Sequence, residues 1–448
     1  MRLRPSALLL PALLWPGLAL HAQETPEEAG QTTLEIAPSD DPDVAESATS
    51  KVPLDEIRRY VAVYNAVKQA YVDPVDDKKL MHSAVRGLLG DLDPHSVYFD
   101  KDDAKEFDEA TSGAYDGIGV ELQQLPDNTY RVVAPIDDTP AARAGLKSGD
   151  LIVAIDGKPI GDDADATPLR GKPGTQVKLK IVREGVAKPF DVTVVREKIR
   201  VASVRSRMLE PGYGYVRVST FQADTAADFT RQVDALKAGS GGKLAGLVID
   251  LRSNPGGLLT AAVQIADDLL DKGRIVSTRG RIAVSDAEFS ATPGDRLNGA
   301  PVVVLVDAGS ASASEVLAGA LRDNGRARVV GSRTFGKGSV QTVLPLDNGD
   351  SVKLTTARYY TPSGKSIQGV GIEPAVVLHP EKKPGEKDQD GAGMDPYTEA
   401  NLPGHLRGDE EGQEGYSAGE VLDGDAPIAA ALAELKKPVA AAKPADKG

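Results

Sequence analysis

Residues 243–271 read KLAGLVIDLRSNPGGLLTAAVQIADDLLD. Leu244 to Leu251 is apolar almost throughout, without the polar alternation of a strand that shows one face to water. After Asn254, Pro255, Gly256 and Gly257 the apolar spacing becomes helical over 258–271. A strand covered on both faces that runs straight into a helix is the repeating unit of an α/β layer. The same pattern recurs from about residue 200: YGYVRVS (213–219), PVVVLVD (301–307) and RVVG (328–331) alternate with helical stretches at 224–238 and 312–323. A hairpin is then expected, with VQTVLPL (340–346) and SVKLTTARYY (351–360) joined by the DNGD turn.

Upstream, 117–197 reads as a small, mostly β module. YRVVAPI (130–136) and VKLKIVRE (177–184) have strand character, DLIVAIDGKPI (150–160) sets a strand before an Asp-Gly turn, and TPAARAGL (139–146) is a short helix closed by Gly145. With GIGVEL (117–122) ahead and a second helical stretch before VKLKIVRE, the order resembles a PDZ domain. That resemblance implies capture of a peptide C-terminus: the amides of Gly117, Ile118, Gly119 and Val120 hold the terminal carboxylate while the peptide adds a strand to the sheet edge. Glycines at 117 and 119 suit a loop whose backbone must approach a ligand closely.

The N-terminus, MRLRPSALLLPALLWPGLALHA (1–22), places Arg2 and Arg4 before an apolar run from Ala7 to Leu20. The run is short of the roughly 20 residues of a membrane helix and ends near small Ala22, so a cleaved secretory signal and a periplasmic address are expected. No cysteine follows to carry a lipid anchor. Residues 23–50 lack an apolar period and read as a flexible spacer. Leu54, Ile57, Val61, Tyr64, Val67 and Tyr71 then mark one face of a helix ending before Pro74, and a second helix is expected over 77–90. These two helices pack on the main domains or on another subunit. Beyond Pro380 the composition shifts to Lys, Glu, Gly and Asp, as in a flexible insert, before a short helix at 427–437 and an Ala/Pro/Lys tail.

The formal charge of −14, without a basic block, argues against nucleic acid as a partner and favours proteins or peptides. With no cysteine, thiolate chemistry is excluded. No His/Asp/Glu spacing suggests a metal, and no organic cofactor is expected.

Three serines, Ser310, Ser312 and Ser314, stand in DAGSASASEVLAGAL (307–321). Ser312 and Glu315 have the spacing of a capping box, so Ser312 has a plain role as a helix cap. Its surroundings also fit a nucleophile. The paired glycines after NP can aim amides at a developing oxyanion, and the helix starting near Ser312 adds the Ala313 amide. None of the five histidines, His21, His82, His95, His379 and His405, lies within 200–378. Lys337, between two glycines in RTFGKGSVQTV, is the alternative base. To act so it must be neutral, which desolvation favours and a nearby carboxylate opposes; Gln341 can position the amine without charge.

DLRSNPGG, GSASASEVLAGAL, GSRTFGKGSVQ and ARYYTPSGKSIQGVGIEP, with GLLGDLDPHSVYFD and the PDZ-like module between, closely resemble the carboxyl-terminal processing proteases over about 54–378. The resemblance implies a serine peptidase with Ser312 as nucleophile, Lys337 as base and Gln341 as its support. Gly256 and Ala313 take the oxyanion-hole positions. The fold implied is an α/β protease core with crotonase- and ClpP-like sheet and helices, an inserted, mostly β PDZ domain and N-terminal helices. The expected divisions are 1–22 signal, 23–50 spacer, 51–112 helical region, 113–197 PDZ, 198–380 protease core and 381–448 insert, helix and tail. The activity expected is ATP-independent endoproteolysis of envelope proteins with apolar or unstructured C-termini, by a homo-oligomer, with an envelope lipoprotein as a possible adaptor. A secreted PDZ scaffold with an inactive core and a crotonase-like acyl-CoA enzyme are the alternatives; Ser312, Lys337 and Gln341 argue against the first, the signal and the PDZ-like module against the second.

Overall fold

The computed structural model describes residues 53–125, 129–160, 167–282, 285–380, 398–412 and 419–438. The expected signal (1–22) and spacer (23–50) lie outside the described residues. The chain begins with α1 (Leu54–Ala70) and α2 (Asp77–Gly90), both where the apolar spacing predicts them. α2 is N-capped by Asp76, which accepts the Lys79 amide. Within the described chain α1 buries no residue and α2 only Leu89, so the apolar face of α1 stays uncovered.

β1 (Val97–Phe99) and α3 (Lys101–Ser112) follow. α3, KDDAKEFDEATS, has no continuous apolar stripe and is not foreseen from the sequence. It is fixed at its ends instead: Asp100 accepts the amides of Asp102 and Asp103, and Gly113 closes it at φ 71°.

Gly113 opens into β2 (Ala114–Gly117), which pairs antiparallel with β9 (Glu197–Arg200) as a two-stranded neck. Between them lie β3 (Val120–Gln124), β4 (Tyr130–Pro135), α4 (Pro140–Arg143), β5 (Leu151–Ile155), β6 (Lys158–Pro159), β7 (Gln176–Val182) and β8 (Phe190–Val195). The antiparallel sheet runs β3-β4-β5-β7-β8. Val177, Leu179 and Ile181 alternate inward from β7 onto Ile118, Val132, Ile152 and Val194. The Asp156-Gly157 turn has positive φ at both residues, as the hairpin β5–β6 requires. Of the expected second helical stretch, 161–166 lies outside the described residues, and Thr167–Leu169 is a single 3₁₀ turn.

The main sheet is built from β10 (Val204–Glu210), β11 (Tyr213–Val218), β12 (Gly246–Asp250), β15 (Val302–Val306), β16 (Ala327–Gly331) and β19 (Val376–Val377), in that spatial order. The β10–β11 pair is antiparallel and all others are parallel. α5 (Thr225–Gly239), α6 (Leu259–Leu269) and α7 (Ala313–Asp323) cover one face, and α8 (Ala426–Leu435) covers the other. Strand alternation explains the division. Leu247, Ile249, Val302 and Val304 point to the three-helix side, while Val248, Val303 and Leu305 meet Ile428, Ala431 and Leu435 of α8.

A second sheet joins β1, β18 (Ser351–Tyr360), β13 (Arg274–Gly280) and β14 (Ala287–Ser290), with β17 (Ser339–Pro345) on β18. β17 and β18 are the expected hairpin, and their register shifts at Val340/Gln341. The hairpin β13–β14 is not foreseen from the sequence.

The helix expected at 427–437 is α8, but the reading of 381–425 as a flexible insert needs correction. Residues 381–397, 413–418 and 439–448 lie outside the described residues, but 398–412 and 419–438 are packed on the core. Glu399 and Leu422 are buried, the Leu422 amide donates to Asp307, and α8 closes one face of the sheet. The cause of the misreading is physical: isolated polar anchors hold these segments, and they leave no apolar period to detect.

Candidate active site

The turn after β12 and the start of α7 meet at van der Waals distance. Gly256 has φ 102°, and a Cβ there would lie 2.8 Å from both the Ala311 carbonyl oxygen and Ser312 Cβ. A Cβ on Gly257, φ 132°, would fall 2.1 Å from the Phe221 carbonyl oxygen. Side chains at either position would push the turn away from the serine. Asn254, fully buried, locks the turn: Nδ2 donates to Val218 O at 2.9 Å, and Oδ1 accepts the Gly256 amide at 2.9 Å. The Gly256 amide, the expected oxyanion donor, is therefore already engaged here.

The three serines part company. Ser310 donates to the Leu251 carbonyl at 2.8 Å, and Ser314 donates to the Asn254 carbonyl at 2.9 Å; both brace the turn. Ser312 faces a cavity of about 410 Å³ shared with Lys337, Gln341 and Tyr359. It occupies the N-cap position of α7 at φ 56°, ψ −115°, a backbone region that costs a residue with a side chain about 1–3 kcal/mol. Ala313 is the first residue of that helix, so its amide belongs to the turn without intrahelical partners.

Lys337 is reached by a loop that Glu315 holds in place. This fully buried carboxylate accepts from Ser312 N (2.7 Å), Lys337 N (2.9 Å), Gly336 N (2.8 Å) and Thr334 Oγ1 (2.5 Å), tying the Ser312 and Lys337 backbones together. Burial pushes Glu315 up to about 7, against the pull of these four donors. The capping-box spacing announces half of this role and says nothing of the Lys337 loop.

Lys337 Nζ donates to Gln341 Oε1 at 2.5 Å. Burial lowers its pKa to about 8; Glu399, Glu315 and Asp93 oppose the shift and Lys353 reinforces it. The direction is the one a lysine base requires. The register shift at Val340/Gln341 turns Gln341 into the cavity, where its Nε2 donates to Ser339 Oγ (3.0 Å) and Thr355 Oγ1 (3.2 Å). Thr355 in turn donates to Asp93 of the DLDPHS stretch at 3.1 Å. A second chain runs from the Gly338 amide to Gln368 Oε1 and from Gln368 Nε2 to Glu399, which also accepts from His95 Nε2 at 2.8 Å. Sequence reading missed both supports. Counting the hairpin register outward from DNGD pairs Gln341 with Thr355, but nothing local points to Asp93 or Glu399.

The Tyr359 hydroxyl, also missed, borders the same cavity as Ser312, and burial pushes it up to about 12 while the Ser312 side chain pulls the other way. Among the described residues Lys337 Nζ donates to Gln341 and makes no hydrogen bond to Ser312. The structure brings Ser312, Lys337, Gln341, Gly256 and Ala313 into one region, with the serine and the lysine not yet joined.

Gly117, Ile118, Gly119 and Val120 lie apart, at the mouth of the β module. Gly119 has φ 75°, and a Cβ there would lie 2.4 Å from Thr139. The carbonyls of Ile118 and Gly119 are taken by the amides of Ala141 and Ile136. Ile118, Gly119 and Val120 border a cavity of about 140 Å³ with Tyr115, Leu169 and Arg170.

Comparison with known proteins identifies the family. Residues 212–378 match Peptidase family S41, 117–194 match a PDZ domain, and 21–103 match the N-terminal domain of the activating protease CtpB. A carboxy-terminal-processing protease of Bartonella bacilliformis is 42% identical over 83% of this chain and 85% of its own length. The carboxy-terminal processing protease CtpA of Bacillus subtilis is 37% identical over 70% of this chain and 67% of its own. A solved photosystem II D1 C-terminal processing protease superposes with TM-score 0.43 at 31% identity, over 74% of this chain and 94% of that one. The chain belongs to the carboxy-terminal processing proteases, PDZ-containing serine peptidases of family S41.

Proposed function

We propose that the protein is a periplasmic, ATP-independent endopeptidase that captures apolar or unstructured C-termini of envelope proteins at Gly117–Val120 and cleaves upstream with Ser312, Lys337 and Gln341. The observation that carries the mechanism is the buried Lys337 ammonium held by the neutral amide of Gln341 in the cavity that Ser312 faces. Neutral Lys337 accepts the Ser312 proton as the hydroxyl adds to the scissile carbonyl. The Ala313 amide and the dipole of α7 stabilise the oxyanion, joined by the Gly256 amide once it exchanges Asn254 Oδ1 for the substrate. Protonated Lys337 then returns its proton to the leaving amine, and a water deprotonated by the same lysine releases the acyl group.

The engaged Gly256 amide, and Lys337 Nζ bonded to Gln341 rather than to Ser312, support a latent resting state in which capture at the PDZ module precedes alignment. The uncovered face of α1, where Leu54 and Val61 are 68% and 45% exposed, supports a homo-oligomer built through the N-terminal helices, or an envelope lipoprotein docked there. The parallel order β11-β12-β15-β16 with helices on both faces supports the crotonase- and ClpP-like assignment of the core. The run Ala7–Leu20 behind Arg2 and Arg4 supports export, with the mature chain starting near Gln23.

The test is cleavage of a peptide with a free apolar C-terminus. Ser312→Ala and Lys337→Ala each abolish turnover while circular dichroism and Tm stay as in the wild type. Equal turnover by wild type and both variants would remove the catalytic assignment. Ser312→Ala used as a trap in periplasmic extract identifies substrates and any adaptor together.

A further inference from the structure

The catalytic cavity holds a second lysine that the mechanism does not use. Lys353 lies on β18, paired with Val343 of β17 and Val97 of β1, and its side chain borders the same cavity as Ser312 and Lys337. Two aromatic rings hold its ammonium: Nζ stands 5.4 Å from the centroid of Phe99 on β1 and 5.6 Å from that of Phe107 on α3. Among the described residues it forms no ion pair and donates no hydrogen bond. The carboxylate that acts on it, Asp93, is taken up by other donors: His95 N at 2.8 Å, Ser96 N at 2.9 Å, Ser96 Oγ at 2.7 Å and Thr355 Oγ1 at 3.1 Å. A half-buried cation on an aromatic seat, facing a cavity and lacking a counter-charge, is a site awaiting an anion.

We propose that Lys353 is a specificity-determining residue that binds a carboxylate of the substrate close to the scissile bond. The inference rests on the reading of this cavity as the proteolytic site. The carboxylate comes from an Asp or Glu side chain within about three residues of the cleaved bond, or from the chain end when the product-side tail is short. Both would place one charge-assisted hydrogen bond on Nζ and neutralise a cation that otherwise stays unpaired beside the reacting lysine.

The test is a peptide series with one constant apolar C-terminus, free as the acid, in which each of the three positions on either side of the cleaved bond carries Asp or Asn. A second arm uses peptides ending two residues after that bond, as acid or amide. The wild type prefers the charged member of one arm by about tenfold in kcat/KM, the effect of one charge-assisted hydrogen bond, and the arm names the source. Lys353→Met brings that ratio to about one, whatever its overall rate, and Lys353→Glu inverts it toward a Lys-containing peptide. Anisotropy on Ser312→Ala and Ser312→Ala/Lys353→Met gives the same ratios as affinities without turnover. A wild-type ratio of about one throughout, or a preference that survives Lys353→Met, overturns the proposal. A wild type that cleaves no peptide while the anisotropy ratio responds to Lys353 removes the protease reading and leaves the anion subsite standing.

Discussion

The proposed capture loop and the proposed catalytic cavity are built from opposite materials. Gly117–Val120 offers backbone, shaped by positive φ at Gly119 and by carbonyls already taken by the module's own amides, and its binding power needs no buried charge. The cavity around Ser312 is bordered by two partly buried lysines, Lys337 and Lys353, with the buried carboxylate of Glu315 behind it, and burial shifts the pKa of all three. Backbone recognition changes little with pH and tolerates nearby substitution. A desolvated lysine responds to pH and to every neighbouring charge.

The largest expected effect lies on the catalytic side. Lys337→Met lowers kcat/KM by more than about a thousandfold, while affinity for a free peptide C-terminus, measured in the Ser312→Ala background, stays unchanged. Glu315→Gln follows. Each oxygen of Glu315 accepts two donors, so an amide in its place turns one acceptor into a donor facing two others. The expected cost is about 2–4 kcal/mol of stability, read by denaturant midpoint, with a fall in kcat and no change in peptide affinity.

On the capture side the effects are smaller and of another kind. Amidating the substrate C-terminus raises KM about tenfold, through lost charge-assisted hydrogen bonds to the loop amides, and leaves kcat alone. An amide that lowers kcat and spares KM would contradict the division of labour. Smallest is the exposed pair Arg143–Glu197 at the base of the module: Glu197→Ala changes stability by less than about 0.5 kcal/mol, because both side chains are about half exposed and solvent screens them.

The same contrast explains what the sequence carried. Elements defined by apolar period, β12, β15, α6, α7 and the hairpin β17–β18, lie where spacing predicts them, because burial on one or both faces leaves a periodic trace. The Asp156-Gly157 turn and the close of α4 at Gly145 were equally plain, since positive φ selects glycine. α3 and the segment 398–412 were not, since caps and single anchors such as Asp100 and Glu399 hold them. Ser312, Lys337 and Gln341 could be named because their types and local spacing are unusual. Their supports come from about 250 residues upstream, at Asp93 and His95, and from about 60 downstream, at Glu399. No local pattern links residues that only the fold brings together.

The central claim is that Lys337, its pKa lowered by desolvation, is in its neutral form the base for Ser312. The direct measurement is the pH dependence of kcat/KM on a peptide with a free C-terminus. Lys337 has its pKa lowered to about 8 and acts when unprotonated. Activity therefore rises about tenfold per pH unit below that value and levels off above it. An ionisation near 8 that is lost in Lys337→Met is the predicted result. A profile governed by a group near 6.5, the range of an ordinary histidine, or one that keeps its midpoint and amplitude in Lys337→Met, would contradict the account.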